Sequence, residues 1–249
     1  MRQDVIFVAA TNPAISITKN QNDMKLTYYG HSCFSITTGG KKLLFDPFIT
    51  GNELAAGVDV NSIEADYILV SHGHSDHTGD LVSVAQRTNA LVVAAFEITE
   101  WAKTKGVNNT HPLNFGGTKQ FEWGSAKYVQ AMHSSVLPDG TYGANPGGFV
   151  VKTEDRNFYY SGDTALMMDM QLIPRYAKLD FAILPIGDNF TMGVEDAIVA
   201  AEFIQCKKII GVHYDTFGYI KIDHQEAIDR FKEAGLELLL PKIGETISI

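Results

Sequence analysis

The sequence is poor in cysteine and contains no long apolar run. Its two cysteines, Cys33 and Cys206, are too few for a disulfide framework and too far apart for a CxxC metal or redox pair. We therefore expect a reducing, cytoplasmic location. After residue 23 no segment approaches the roughly 18–20 apolar residues that span a membrane, so the sequence predicts no membrane segment there.

Positive charge is also scarce. The 249 residues include 20 Lys and Arg against 29 Asp and Glu, which gives a formal net charge of -9 at pH 7. Polyanions repel so acidic a chain, which argues against a nucleic-acid partner or an anionic membrane surface.

Residues 1–23 are predicted to form an N-terminal extension of uncertain order, followed by a single domain over 24–249. The alternative is a cleaved export signal, because Arg2 precedes an apolar run at 5–10. A secretory signal needs roughly 7–15 apolar residues. This run has six, and Asp4 precedes it, so the extension is the expectation.

From residue 24 onward, short apolar segments alternate with turn signals, which predicts strands at 25–29, 33–37, 42–45, 67–70, 91–95, 119–123, 126–132, 148–152, 157–160, 181–184, 209–212 and 236–240. Helices are predicted at 81–86, 194–205 and 224–234, the last capped by Gly235. Both halves thus combine mostly antiparallel strands with a few helices. Two such sheets packed face to face with helices outside give the predicted fold class, α+β, a four-layer αββα sandwich.

The most informative segment is SHGHSDHTG at 71–79, directly after a buried strand. His72, His74, Asp76 and His77 can all bind metal, and no Lys or Arg is interleaved with them. In an extended turn His72 and His74 point to one side, whereas Asp76 and His77 follow the bend and can face a second point. This spacing predicts a pair of neighbouring metal sites.

Further candidate ligands follow apolar strands elsewhere in the chain: His133, Asp163 and His213. Each alone would more often be structural, but together with the cluster they indicate a shared metal centre. His111, expected in a loop before Pro112, and His224, expected at a helix start, are interpreted as structural.

In this order, these motifs resemble those of the metallo-β-lactamase fold superfamily, over essentially 24–249. Smaller segments, GHSCF at 30–34, GDNFTMG at 187–193 and HYDTF at 213–217, resemble the branch of small metal-dependent hydrolases that includes L-ascorbate-6-phosphate lactonase.

The resemblance implies a role for each candidate. His72, His74 and His133 would bind the first metal; Asp76, His77 and His213 would bind the second; and Asp163 would bridge both. Asp76 would also hold the attacking hydroxide, and Asp46 would support the metal loop. His31, near the mouth of the site, is a candidate catalytic residue; the alternative is a turn histidine bonded to Ser32 or to the backbone.

Two divalent cations close together lower the pKa of a bridging water from 15.7 toward about 7, which suits hydrolysis of an ester, lactone, amide or phosphoester. Five histidines and two carboxylates suit zinc, our default, and also manganese or iron. The cations would make the site more positive than the whole chain, so an anionic substrate is compatible with it. The resemblance also implies a small-molecule substrate and allows a homo-oligomer.

Two other activities are alternatives on the same fold. One is an iron-dependent oxidoreductase of the persulfide dioxygenase type, and the other is a nuclease or phosphodiesterase. The complete second metal site favours a hydrolase over the oxidoreductase. The negative net charge argues against the nuclease or phosphodiesterase. Substrate choice is expected to depend on loops at 47–62, 134–147 and 164–175.

Overall fold

The computed structural model describes residues 24–249, so the predictions for 1–23, an extension or an export signal, lie outside the described residues. The strands are, in chain order, β1 (Lys25–Gly30), β2 (Cys33–Thr38), β3 (Lys41–Phe45), β4 (Tyr67–Leu69), β5 (Leu91–Ala95), β6 (Thr110–Leu113), β7 (Thr118–Phe121), β8 (Gly124–Gln130), β9 (Gly147–Lys152), β10 (Asn157–Tyr160), β11 (Phe181–Pro185), β12 (Lys208–Val212), β13 (Glu237–Leu239) and β14 (Thr246–Ser248). The helices are α1 (Ser75–Thr78), α2 (Leu81–Thr88), α3 (Phe96–Thr104), α4 (Ile173–Tyr176), α5 (Val194–Phe203) and α6 (His224–Glu233).

The strands form two seven-stranded sheets, in the orders β14-β1-β2-β3-β4-β5-β6 and β13-β12-β11-β10-β9-β8-β7. The prediction of mostly antiparallel sheets holds for only half of each sheet. Three pairings in the first sheet are antiparallel and three are parallel, and the second sheet has the same division. The parallel halves arise because long crossovers, most of them helical, return the chain to the same end of the sheet.

Phe45 of β3 lies at the centre of the contact between the sheets. Its ring stacks on Phe34 of β2 at 4.6 Å between centroids. It also meets Phe149, Phe158 and Tyr160 of the second sheet at 6.3, 5.9 and 5.7 Å. All five side chains are fully buried. Aromatic residues from both sheets therefore fill the interior of the sandwich.

Successive side chains of β10 point to opposite faces of its sheet, as the period of a strand requires. Phe158 and Tyr160 belong to the core between the sheets. Tyr159, between them, belongs to a second buried cluster with Ala200 of α5 and Phe231 of α6. Because α2 and α3 contribute to the core around the first sheet, helices cover both sheets, and the predicted four-layer αββα arrangement is confirmed.

Helices α5 and α6 lie where the apolar spacing predicts them. The carboxylate of Asp223 accepts a hydrogen bond from the Glu226 amide at 3.0 Å, which caps the start of α6. Gly235, with φ +73°, follows the last turn, as predicted.

The prediction of a loop at His111 is wrong, because His111 and Pro112 lie in β6. An edge strand tolerates proline, since one of its sides needs no amide donor.

Both cysteines are free and buried, and burial raises the pKa of the Cys33 thiol well above its usual range. Within residues 24–249, no helix has both the length and the apolar character needed to cross a bilayer.

Replacing Phe45 with Ala removes the ring that joins the two sheets. We expect Phe45→Ala to lower the free energy of unfolding by about 3–5 kcal/mol, because a cavity replaces a close-packed aromatic side chain. Urea denaturation followed by circular dichroism measures this loss. Phe96→Ala, at a ring that is 54% exposed, is the control and should change stability by no more than about 0.5 kcal/mol. Equal losses in the two variants would contradict this description of the core.

Candidate metal centre

Two groups of metal-binding side chains lie at the edge where strand ends of both sheets meet. His72 and His74, after β4, approach His133, after β8, with ligand atoms within 4.8 Å of one another. In the second group, Asp76 and His77 of α1 approach His213, after β12, and His31, after β1, within the same distance. Apart from Asp163, these groups contain the residues that the resemblance assigns to two metal ions, and His31 joins the second group. A third group, of Asp46, His72 and His77, connects the two.

Asp163, after β10, lies between the two groups. Its Oδ2 atom is 2.9 Å from Nε2 of His213 and 3.1 Å from Nε2 of His77. The same oxygen is 3.7 Å from Nε2 of His133 and 4.0 Å from Nε2 of His72. The other oxygen, Oδ1, is buried and has no hydrogen-bond partner in the described chain. One carboxylate therefore contacts histidines of both groups.

A tight turn presents Asp163 to the histidines. Gly162 has φ +61°, and a Cβ atom there would lie 2.5 Å from the carbonyl oxygen of Gly147. Only glycine fits both the backbone conformation and this close approach. The sequence Ser161-Gly162-Asp163 thus fixes the position of the carboxylate.

Asp46 orients His77 directly and His72 through Ser71. Its Oδ1 accepts a hydrogen bond from the Ser71 amide at 2.7 Å, and its Oδ2 accepts from the hydroxyls of Ser71 and Tyr160, each at 2.5 Å. Nδ1 of His77 is 2.8 Å from the same Oδ2. Because a carboxylate only accepts, His77 carries a proton on Nδ1. Its Nε2 faces the Asp163 carboxylate and is the atom that a metal ion would bind in place of a proton.

Ser71 determines which ring nitrogen of His72 carries the proton. Its single hydroxyl proton is donated to Asp46, so its oxygen is free to accept from Nδ1 of His72, 3.0 Å away. Nε2 of His72 is then unprotonated and directed into the site. Asp46 has φ +42°, an uncommon conformation for a residue other than glycine, of the kind often found at functional sites.

His31 is 1% exposed and bonds to neither Ser32 nor the backbone through its ring, so the alternative of a simple turn histidine is wrong. Its Nε2 is 3.1 Å from Oδ2 of Asp76, and its Nδ1 is 3.0 Å from Oγ1 of Thr216. With the Thr216 hydroxyl donating to Nδ1, the Nε2 proton is donated to Asp76. Thr216 was not among the predicted site residues.

The electrostatics of the centre are dominated by buried carboxylates. Burial lowers the pKa of His72 well below its usual value, and burial together with His213 lowers that of His31 to about 4. At His77 burial acts in the same direction, but Asp163, Asp46 and Asp76 outweigh it and raise the pKa. This concentration of negative charge favours cations.

The remaining histidines have structural contacts. His111 packs edge-on against Phe121, with centroids 6.4 Å apart. His224 begins α6, as predicted, and its Nε2 is 2.6 Å from Oδ2 of Asp215.

This geometry can be compared with known proteins. The profile of the beta-lactamase superfamily domain matches residues 25–213. The chain belongs to the metallo-β-lactamase fold superfamily.

Relatives and solved structures within this superfamily cover nearly the whole chain. A UPF0173 metal-dependent hydrolase of Flavobacterium johnsoniae is 55% identical over 226 residues, which are 91% of this chain and 100% of that protein. A second, of Christiangramia forsetii, is 54% identical over 227 residues, again 91% and 100% of the two chains. Igni18, a metallo hydrolase of Ignicoccus hospitalis, has a TM-score of 0.82 at 29% identity and covers 91% of this chain and 98% of its own. The predicted superfamily is confirmed, and the chain is a metal-dependent hydrolase.

The side chains at the centre of this hydrolase fit divalent metals in type and in spacing. The ligand atoms of a tetrahedral zinc ion lie about 3.3 Å apart, since each is about 2.0–2.1 Å from the ion. The distances from Asp163 to the four histidines, 2.9–4.0 Å, bracket this value. The unpaired Oδ1 of Asp163 also fits a ligand that the polypeptide itself does not provide.

A cavity of about 820 Å³ opens over the centre, within the usual range for small-molecule sites. The predicted loop 47–62 contributes Phe48, Gly51 and Glu53, the loop 134–147 contributes Ser134, and 164–175 contributes none of the lining residues. Sequence reasoning missed a further part of the wall, which consists of Phe190, Thr216, Phe217, Gly218 and Tyr219. Aromatic residues in the segments around 187–193 and 213–217 were the signal that could have revealed it.

The contacts of Asp46 predict a specific effect on metal affinity. We expect Asp46→Asn to weaken metal binding by about 10- to 100-fold, because the amide cannot accept from Ser71, Tyr160 and His77 together. Competition with a chromophoric chelator measures this change. The control is Asp169→Asn, at an exposed carboxylate. Unchanged affinity in a folded Asp46→Asn protein would contradict the role of these hydrogen bonds.

Proposed function

We propose that this hydrolase holds two divalent metal ions and cleaves a small ester, lactone or phosphoester. His72, His74 and His133 would hold one ion, Asp76, His77 and His213 would hold the other, and Asp163 would contact both. The observation that carries the proposal is the position of Oδ2 of Asp163, within 4.0 Å of histidine nitrogens from both groups.

Zinc is the proposed metal, with manganese and iron as alternatives. Five imidazoles and two carboxylates suit all three ions, and no thiolate is present to narrow the choice. When bound, the two cations lower the pKa of water toward about 7 and act as Lewis acids toward the bond that is cleaved.

Asp76 is proposed to orient the attacking water, and His31 is proposed to orient Asp76. Oδ2 of Asp76 accepts a hydrogen bond from His31 at 3.1 Å, which fixes the rotation of the carboxylate. The side chain is 21% exposed, and Asp76 lines the cavity. Asp76 can therefore accept a hydrogen bond from an attacking water and hold it in line with the substrate. His31, at 1% exposure, acts through Asp76 as a positioning residue.

Metal content tests the two-metal site. We expect close to two metal ions per purified chain, and we expect Asp163→Ala to lose most of them because the shared carboxylate is removed. Inductively coupled plasma mass spectrometry measures both the amount and the element. Asp169→Asn should keep the wild-type content. Equal metal content in wild type and a folded Asp163→Ala protein would contradict the bridging position.

Hydrolysis tests the activity itself. We expect the protein to cleave p-nitrophenyl acetate, a simple lactone or bis(p-nitrophenyl) phosphate, to lose that activity after chelation, and to regain it with zinc or manganese. Release of p-nitrophenol is followed by absorbance, and lactone opening by release of acid. A protein that contains iron, consumes oxygen with glutathione persulfide and cleaves none of these compounds would contradict the proposal and favour an oxidoreductase.

A further inference from the structure

The wall of the cavity opposite the metal centre is aromatic and exposed. Phe190 is 48%, Phe217 is 36% and Tyr219 is 79% exposed, and all three line the cavity. The rings of Phe190 and Tyr219 meet edge to face, 6.1 Å apart. A cluster of exposed aromatic rings beside a reactive centre is typical of a surface that binds an apolar ligand.

Positive φ angles occur in the backbone just before two of these rings. Asp188 and Asn189 have φ values of +62° and +56°, and the Phe190 amide donates to the Asp188 carbonyl at 2.6 Å. Asp215, two residues before Phe217, has φ +64°. Asp and Asn adopt positive φ more readily than other non-glycine residues, and such conformations are frequent in functional loops. Here the strained turns carry apolar rings to the cavity and bury none of them.

Phe48 extends the same wall toward the metal centre. Its ring is 5.7 Å from that of His31, and the ring of Phe217 is 5.4 Å from His31 on another side. A Cβ atom at Gly51 would lie 2.4 Å from the Phe48 ring, so glycine there lets the loop pack directly on it. Phe48 and Phe217 thus bring apolar rings of the cavity wall up to His31, the residue that positions Asp76.

Apart from the metal-binding groups, the lining of the cavity is poor in charged side chains. Among residues 24–249, no Lys or Arg lines it, and Glu53 adds a carboxylate apart from the metal-binding groups. A site built for a phosphorylated or carboxylated substrate needs cationic donors for the part of the substrate away from the metals. This wall offers none, and Glu53 repels an anion.

We propose that the cavity selects substrates whose non-reacting part is uncharged and apolar, that Phe190, Phe217 and Tyr219 bind this part, and that Glu53 disfavours an anionic one. The proposal rests on the hydrolase function proposed above and narrows its substrate class to neutral esters or lactones with an apolar tail. Phosphorylated and other anionic substrates become the disfavoured group.

Two matched esters test this selection. The p-nitrophenyl ester of hexanoic acid and the p-nitrophenyl monoester of adipic acid have the same chain length, but the second carries a carboxylate at the far end. We expect kcat/KM to be at least about tenfold higher for the hexanoate, because the tail contacts apolar rings. Equal or faster cleavage of the adipate would overturn the proposal.

Substitutions test which residues cause this substrate selectivity. In the triple variant Phe190→Ala, Phe217→Ala, Tyr219→Ala, the ratio of kcat/KM for hexanoate to that for acetate should fall about tenfold, whereas Phe96→Ala should keep the wild-type ratio. Glu53→Gln should raise the adipate-to-hexanoate ratio about threefold, with Glu202→Gln, an exposed carboxylate on α5, as the control. Unchanged ratios in folded variants, verified by thermal melting, would overturn the proposal.

Binding of Nile red, a neutral aromatic dye, gives a readout that does not depend on turnover. The metal-loaded protein should bind the dye several-fold more tightly than the triple variant, as measured by fluorescence. If no ester, lactone or phosphodiester is cleaved but the dye result holds, the hydrolase mechanism fails and the apolar wall stands. If esters are cleaved without discrimination and the dye binds both proteins equally, the proposed hydrolysis stands and this inference is wrong.

Discussion

The His77 imidazole contacts three carboxylates, and the rest of the site depends on that arrangement. Asp46 is 2.8 Å, Asp163 is 3.1 Å and Asp76 is 4.0 Å from its ring nitrogens. His77, Asp46 and Asp163 are fully or almost fully buried. Removing carboxylates from water is strongly unfavourable unless positive charge or hydrogen bonds compensate for it. A raised pKa lets His77 supply that charge, and the metal ions proposed above would supply more of it.

The fold creates this arrangement by bringing loop residues from both sheets to one edge. Asp46 and His77 come from the first sheet and its crossover, and Asp163 and His213 follow strands of the second. Each position is fixed by packing and by backbone hydrogen bonds, such as that from the His213 amide to the His31 carbonyl at 2.9 Å. The aromatic core around Phe45, between the sheets, fixes the relative positions of the loops that carry these residues.

Much of the centre could be predicted from the sequence because its signals are local. His72, His74, Asp76 and His77 lie within six residues, and the apolar strands that precede His133, Asp163 and His213 are recognisable by composition. The αββα layers follow from the same strands and helices. These features require no knowledge of which distant segments meet.

What sequence reasoning missed depends on contacts between distant residues. The partner of His31, Thr216, is 185 residues away, and neither residue type indicates the pairing. The parallel half of each sheet arises from crossovers, and the helices predicted between successive strands were a signal of this pairing that sequence reasoning did not use. The edge strand that contains His111 pairs in parallel with β5. The aromatic wall combines Phe48 with Phe190 and Tyr219, which lie more than half of the chain away.

The bridging position proposed for Asp163 is tested by anomalous X-ray diffraction from crystals of the protein as purified, recorded at the absorption edge of the metal found in it. Two anomalous peaks about 3.5–4 Å apart, on either side of the Asp163 carboxylate, are the expected result. One peak would lie beside His72, His74 and His133 and the other beside Asp76, His77 and His213. A single peak, or peaks that do not contact Asp163, would contradict a shared two-metal centre.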